Sequence, residues 1–272
     1  DEQSVLQIRK QDIVKHYLNW YRPNNASLAV AGSFTENDEK KIIQLFKSWP
    51  ARNLKPVKAA VIPDLKGRNF HLVTKENLVQ AQIRIGHLSV PRSSADYMKM
   101  QIANEILGGG FSSRLNQTIR DDLGLTYSIG SSMDTRVDVG TFQISTFTKN
   151  ESLAATVDKT LKVYEDFARD GILPAELRAA KNLMIGQFPQ SIETVDRMAS
   201  LLLHLDLWGL PRSYITEYTK NVEKISVVEV NDVIRRRWSP ENLSIVVYAD
   251  EKTGPEQLKA YQPKTTKLFE KL

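Results

Sequence analysis

A constant shift of 217 lays residues 8–32 over residues 225–249, and five of the 25 paired positions are identical. The matches are Ile8 with Ile225, Pro23 with Pro240, Asn25 with Asn242, Ser27 with Ser244 and Val30 with Val247. Asp12 with Glu229, Ile13 with Val230 and Tyr21 with Trp238 are close replacements. Both stretches read as an amphipathic helix, a proline turn and a short apolar strand. Self-similarity at a long offset marks a duplicated unit. Two units of about 217 residues do not fit into 272, so the chain is expected to hold one whole copy and the tail of another. Residues 1–55 would then end a first repeat, residues 56–66 would connect, and residues 67–272 would form the second repeat. Pro50, Pro56 and Pro63 interrupt the stretch between the two, which has no steady apolar period and reads as an extended linker.

Apolar periodicity supplies the elements around that frame. Helical spacing runs through residues 3–21, 36–49, 94–107, 151–169, 174–188, 192–208, 211–222 and 226–238. Short strands are expected at 27–32, 69–74, 79–88, 141–148 and 243–248. Thr35 with Asp38 and Ser226 with Glu229 form capping boxes, in which hydroxyl and carboxylate satisfy free N–H groups of the first turn. Pro189 is expected to break the helix before it. Lysine plus arginine exceed aspartate plus glutamate by 37 − 32 = 5, and the charges are interspersed, which gives no footprint for nucleic acid. The run Arg235, Arg236, Arg237 reads as a solvated helix face. No apolar run reaches the roughly 18 residues of a membrane span, and the first residues do not form a secretory signal. With no cysteine, disulfides, thiolate zinc sites and cysteine nucleophiles are excluded together.

Residues 107–127, LGGGFSSRLNQTIRDDLGLTY, carry the chemistry. Gly108, Gly109 and Gly110 end the helix before them, Ser112 or Ser113 can cap a new one, and Gly124 can stop that helix by taking φ > 0. Arg120 then lies near the helix C-terminus, where the dipole favours a cation, and Tyr127 lies beyond the reversal at the head of a strand. From spacing alone the pair is either structural or directed to one common surface. The glycines do not form a nucleotide loop, because no lysine follows them and no G-x-G-x-x-G is present. Ser112 and Ser113 lack the G-x-S-x-G surround of a hydrolase nucleophile.

This stretch resembles the C-terminal half of the M16 zinc metallopeptidases, the pitrilysin and insulinase group that includes mitochondrial processing peptidase and the core proteins of the cytochrome bc1 complex. Members carry an arginine and a tyrosine seven positions apart after a glycine-rich loop, as Arg120 and Tyr127 are here. The resemblance implies an α+β fold for each repeat, an antiparallel sheet with helices packed on one face. It implies a catalytic role for Arg120 and Tyr127, which would hold the peptide backbone and stabilise charge on the scissile carbonyl, and substrate binding by Gly108, Gly109, Gly110 and Phe111.

The family's zinc site is an inverted H-x-x-E-H motif, which this sequence lacks. His16, His71, His87 and His204 are widely separated, and packing or surface roles are expected for His16 and His204. Zinc is therefore expected in the parent protein or complex, with none bound by this chain. The implied function is the substrate-binding, chamber-closing half of a zinc-dependent peptidase, partnered by a missing N-terminal half or a zinc-bearing subunit. The alternative is a non-catalytic structural or partner subunit similar to the bc1 core proteins. A bacterial periplasm or envelope is the expected setting, with a mitochondrial one as the alternative.

Overall fold

The computed structural model describes residues 2–54 and 62–267. In chain order its helices are α1 (Glu2–Leu6), α2 (Lys10–Trp20), α3 (Glu36–Phe46), α4 (Tyr97–Asn104), α5 (Leu153–Asp170), α6 (Pro174–Ser191), α7 (Val195–Leu207), α8 (Ser213–Lys224), α9 (Val227–Arg237) and α10 (Gly254–Gln257). The strands are β1 (Asn69–Lys75), β2 (Gln80–Ser89), β3 (Ile129–Asp134), β4 (Gly140–Lys149), β5 (Ser244–Asp250) and β6 (Lys264–Lys267). The connection expected at 56–66 lies mostly outside the described residues, and residues 62–66 are irregular. The described residues up to 54 form one compact unit with Pro189–Arg212, and those from Ile62 to Phe188 and from Ser213 onward form the second. Compactness and sequence repetition thus divide the chain at different places, because α7 groups with the first segment.

The second unit is built on one six-stranded sheet in the order β3-β4-β2-β5-β1-β6. Pairings from β3 through β4 and β2 to β5 are antiparallel, whereas β1 runs parallel to both β5 and β6. The fold is α+β with helices on the sheet, as expected, but the sheet is mixed rather than wholly antiparallel. β5 inserts between β1 and β2, so these two do not pair across their short turn at Asn77 (φ 60°). Parallel neighbours need a long crossover, and the intervening helices supply it.

Alternation decides which face is covered. Ala81, Ile83, Ile85 and His87 of β2 are buried, as are Phe142, Ile144, Thr146 and Thr148 of β4 and Ile245, Val247 and Ala249 of β5. Against them lie Leu153, Val157, Leu161 and Tyr164 on one stripe of α5 and Val230, Val233 and Ile234 of α9. Each such aliphatic side chain contributes roughly 1.5–3 kcal/mol by leaving water. The other phase of the strands, with Arg84, Thr141 and Gln143, is left open.

Both capping boxes form, at Thr35 with Asp38 and at Ser226 with Glu229. Three other expectations are corrected. The arginine run is not a simple solvated face: Arg236 donates to both oxygens of Asp96 (2.9 and 3.1 Å) and Arg237 twice to Asp96 Oδ2 (3.2 and 3.1 Å). Asp96 immediately precedes α4, which packs on α9, so the acid comes within reach of the last turn of α9. Helix α6 continues through Pro189 to Ser191, because a proline in the last turn costs only its own bond to the carbonyl four residues back. Residues 27–32 form no ladder among the described residues, and a strand exists only where a neighbour completes its hydrogen bonds.

The two members of the repeat therefore occupy opposite environments. Leu28 is 63 % exposed and its counterpart Ile245 is fully buried; Ile13 is 62 % exposed and Val230 is fully buried. Tyr21, at 55 %, stands against Trp238 at 3 %. The first copy keeps its helix and proline turn but presents to solvent the side chains that the second copy places in a core.

Candidate functional site

The glycine stretch is framed by two unusual helical turns. Beyond α4 the chain continues π-wound over Glu105–Gly109, and the helix after the loop is π-wound over Asn116–Asp122. Such turns are rare and concentrate at functional sites. Gly108 is dictated by close approach, since a Cβ there would stand 2.6 Å from Ser131 Oγ and 2.7 Å from Ser131 N. Glycine lets the loop lie directly on β3. Asn116 then ties the loop down: its Nδ2 donates to the Gly110 carbonyl (3.2 Å) and to Ser113 Oγ (3.1 Å). Ser113 is thus engaged by a side chain. Gly124, at φ 61°, reverses the chain, and the Leu125 amide closes the turn on the Ile119 carbonyl (3.0 Å).

Tyr127 stands two residues before β3 and is 81 % exposed. Its backbone is nevertheless fixed on both sides. Thr126 Oγ1 donates to the Phe147 carbonyl (2.5 Å), Thr146 Oγ1 to the Ser128 carbonyl (2.9 Å) and Thr148 Oγ1 to the Leu125 carbonyl (2.6 Å). A ring held at its root and free at its tip is suited to meet something outside the fold. The Arg120 guanidinium lies over the Phe111 ring, 4.6 Å from its centroid, and makes a loose ion pair with Asp121 (3.7 Å).

Arg120, Tyr127, Gly108, Gly109, Gly110 and Phe111 all line one cavity of about 580 Å³, together with Asn116, Ser132 and Ser145. The structure therefore brings together every site residue nominated from the sequence. The lining offers a guanidinium, a phenol and serine hydroxyls but no carboxylate or imidazole. Such a wall can hold and polarise a carbonyl oxygen, while it supplies no general base to activate water.

Among the described residues no group of three or more histidine or acidic side chains is placed to hold a metal ion. His87 is a core residue: its ring stacks on Phe142 at 5.0 Å, its Nδ1 lies 2.7 Å from the Leu88 carbonyl, and burial holds its pKa below the ordinary histidine value. The described residues do not fit zinc. Asn116 and the threonines escaped the sequence reading. Thr146 and Thr148 did leave a signal, as polar residues on the buried phase of an alternating strand.

A family model described as the peptidase M16 inactive domain matches residues 7–184. An uncharacterized zinc protease of Mycobacterium bovis is 27 % identical over 263 residues, which covers 95 % of this chain and 60 % of that protein. A crystal structure described as a peptidase M16 inactive domain from Pseudomonas fluorescens aligns with a TM-score of 0.83 at 21 % identity, covering 91 % of this chain and 59 % of that one. A chain of complex III2 from Candida albicans aligns with a TM-score of 0.74 at 17 % identity, covering 91 % and 60 %. At these identities the structural likeness concerns the fold alone. The chain spans about three-fifths of the length of the M. bovis protein it matches.

Proposed function

Because this chain belongs to the peptidase M16 family, as an inactive domain of that family, we propose that it is the substrate-binding, chamber-closing half of a zinc-dependent peptidase. One observation carries the reading: Arg120, Tyr127 and the glycine loop line a single cavity whose side chains are hydrogen-bond donors without a base. A peptide lying along the loop can approach closely because Gly109 and Gly110, on its accessible part, have no side chains, while Gly108 seats the loop on β3. The Tyr127 hydroxyl and the Arg120 guanidinium then donate to a backbone carbonyl, orient it and stabilise the negative charge that grows on its oxygen during cleavage. The metal belongs to another half, either a preceding repeat of the same protein or a separate subunit. The exposed apolar residues of the first segment, Ile13, Tyr21 and Leu28 among them, support the existence of such a half, since their counterparts in the second repeat form part of a core.

The test compares the protein alone with the same protein combined with a zinc-bearing M16 half, using a quenched fluorescent peptide and zinc content per chain. Alone it is expected to bind no zinc stoichiometrically and to cleave nothing, and in combination it is expected to support turnover. Tight stoichiometric zinc and cleavage by the chain alone would overturn the proposal. The likeness to the Candida complex III2 chain favours one other reading, a non-catalytic partner subunit. That reading expects stable association with a partner and no cleavage in any combination.

A further inference from the structure

The glycine loop separates the candidate site from a second cavity, also about 580 Å³. The two share Gly109, Gly110 and Phe111 as a common wall. A peptide running along the loop would therefore place neighbouring side chains in neighbouring cavities. Ile106, Ala180 and Leu183 give the second cavity apolar sides, and Glu105 and Glu176 give it two carboxylates.

These carboxylates are not equivalent. Glu176 is already compensated, by Nε and Nη2 of Arg114 (2.7 and 2.8 Å) and by the Leu173 amide (2.7 Å). No hydrogen bond or ion pair among the described residues reaches the carboxylate of Glu105, which is partly buried; burial alone pushes its pKa upward. Its oxygens lie against the loop: a Cβ on Gly109 would stand 2.7 Å from Oε2, and one on Gly110 would overlap Oε1. The two glycines thus leave open the space beside this acid that any other residue would fill. A partly desolvated, uncompensated carboxylate opposes folding, and that penalty is relieved when a ligand supplies the opposite charge. Apolar sides with one acid match a side chain with a methylene stem and a cationic end.

We propose that this second cavity is a subsite for a lysine or arginine side chain of a peptide held at the Arg120 and Tyr127 site, with Glu105 as the specificity-determining residue. The proposal rests on the peptide-binding reading above, and its test separates the two. Fluorescence anisotropy would measure binding of labelled peptides in which one position at a time carries arginine, citrulline, norleucine or glutamate. The proteins would be wild type, Glu105→Gln, Glu105→Lys and Arg120→Ala, each confirmed to be folded by a cooperative thermal transition.

Wild type is expected to prefer arginine over citrulline at one position by about tenfold, the worth of one charge-assisted contact. Glu105→Gln should abolish that ratio without changing the norleucine peptide, and Glu105→Lys should shift preference to glutamate. Arg120→Ala should weaken all four peptides together and keep the ratio. If binding depends on Arg120 but no arginine preference exists, or the preference survives in Glu105→Gln, the subsite is overturned and the peptide site stands. If no peptide depends on Arg120, the peptide site fails and the subsite falls with it.

Discussion

Asp96 sits where the start of α4 meets the last turn of α9, and hydrogen bonding to Arg236, aided by Arg237, holds its pKa at about 2. The folded state therefore binds this proton less readily than the unfolded chain, whose aspartate titrates near 3.8. Stability from the clamp is complete above pH 3.8 and drains away as pH falls from there toward 2. Because the guanidinium groups are half-exposed, the contribution is discounted for solvent screening to the order of 1–2 kcal/mol. Asp96→Asn should lower stability by that amount in urea unfolding at pH 7 and by little at pH 2; equal curves at pH 7 would remove the clamp from the account. His87 works at higher pH. Buried among Phe142, Tyr164 and Trp238, it resists protonation that the unfolded chain accepts near pH 6.5, so its stabilising effect is lost as pH falls below 6.5. By pH 5.5 the loss is at most about 1.4 kcal/mol. His87→Phe should flatten the difference between urea midpoints at pH 7.5 and 5.5, and an unchanged difference would place its origin elsewhere.

Local rules made some elements legible from the sequence, and non-local pairing hid others. The boxes at Thr35 and Ser226 and the reversal at Gly124 depend on a few adjacent residues and were readable for that reason. Strand β5 was recognisable by its run of β-branched residues, yet its place between β1 and β2 was not, because order in a sheet is set by partners far away in sequence. Residues 27–32 show the same limit from the other side, with a strand's pattern but no neighbour. Their backbone amides should exchange with deuterium quickly in this chain, while those of their counterparts in β5 exchange slowly, since β5 is paired on both edges. When the companion half is present, 27–32 should become protected. Persistent fast exchange in the complete assembly would mean that this segment is no strand in waiting. At the site, the glycine loop, Arg120 and Tyr127 were readable as a pattern with a spacing. The π-wound turns, the Asn116 tie and the half-buried, unpaired Glu105 carboxylate follow from packing and were not.

At the scale of the whole molecule, the second unit supports the glycine loop, and on the proposed reading the sheet edge that carries this loop is the working surface. The sheet and α5 with α9 hold the core, the threonines of β4 fix the backbone around Tyr127, and β3 carries the glycine loop at the sheet edge. Function on this account is distributed: peptide binding and carbonyl stabilisation here, water activation on another half. Loss of the Tyr127 hydroxyl then removes one donor to the developing charge without disturbing the fold, because the ring is mostly exposed. The most direct measurement is kcat together with the thermal midpoint for Tyr127→Phe in the complete zinc-bearing assembly. The account predicts a fall of about 10²- to 10³-fold in kcat with an unchanged midpoint. Full turnover in Tyr127→Phe, or a loss of activity that merely follows a lowered midpoint, would contradict it.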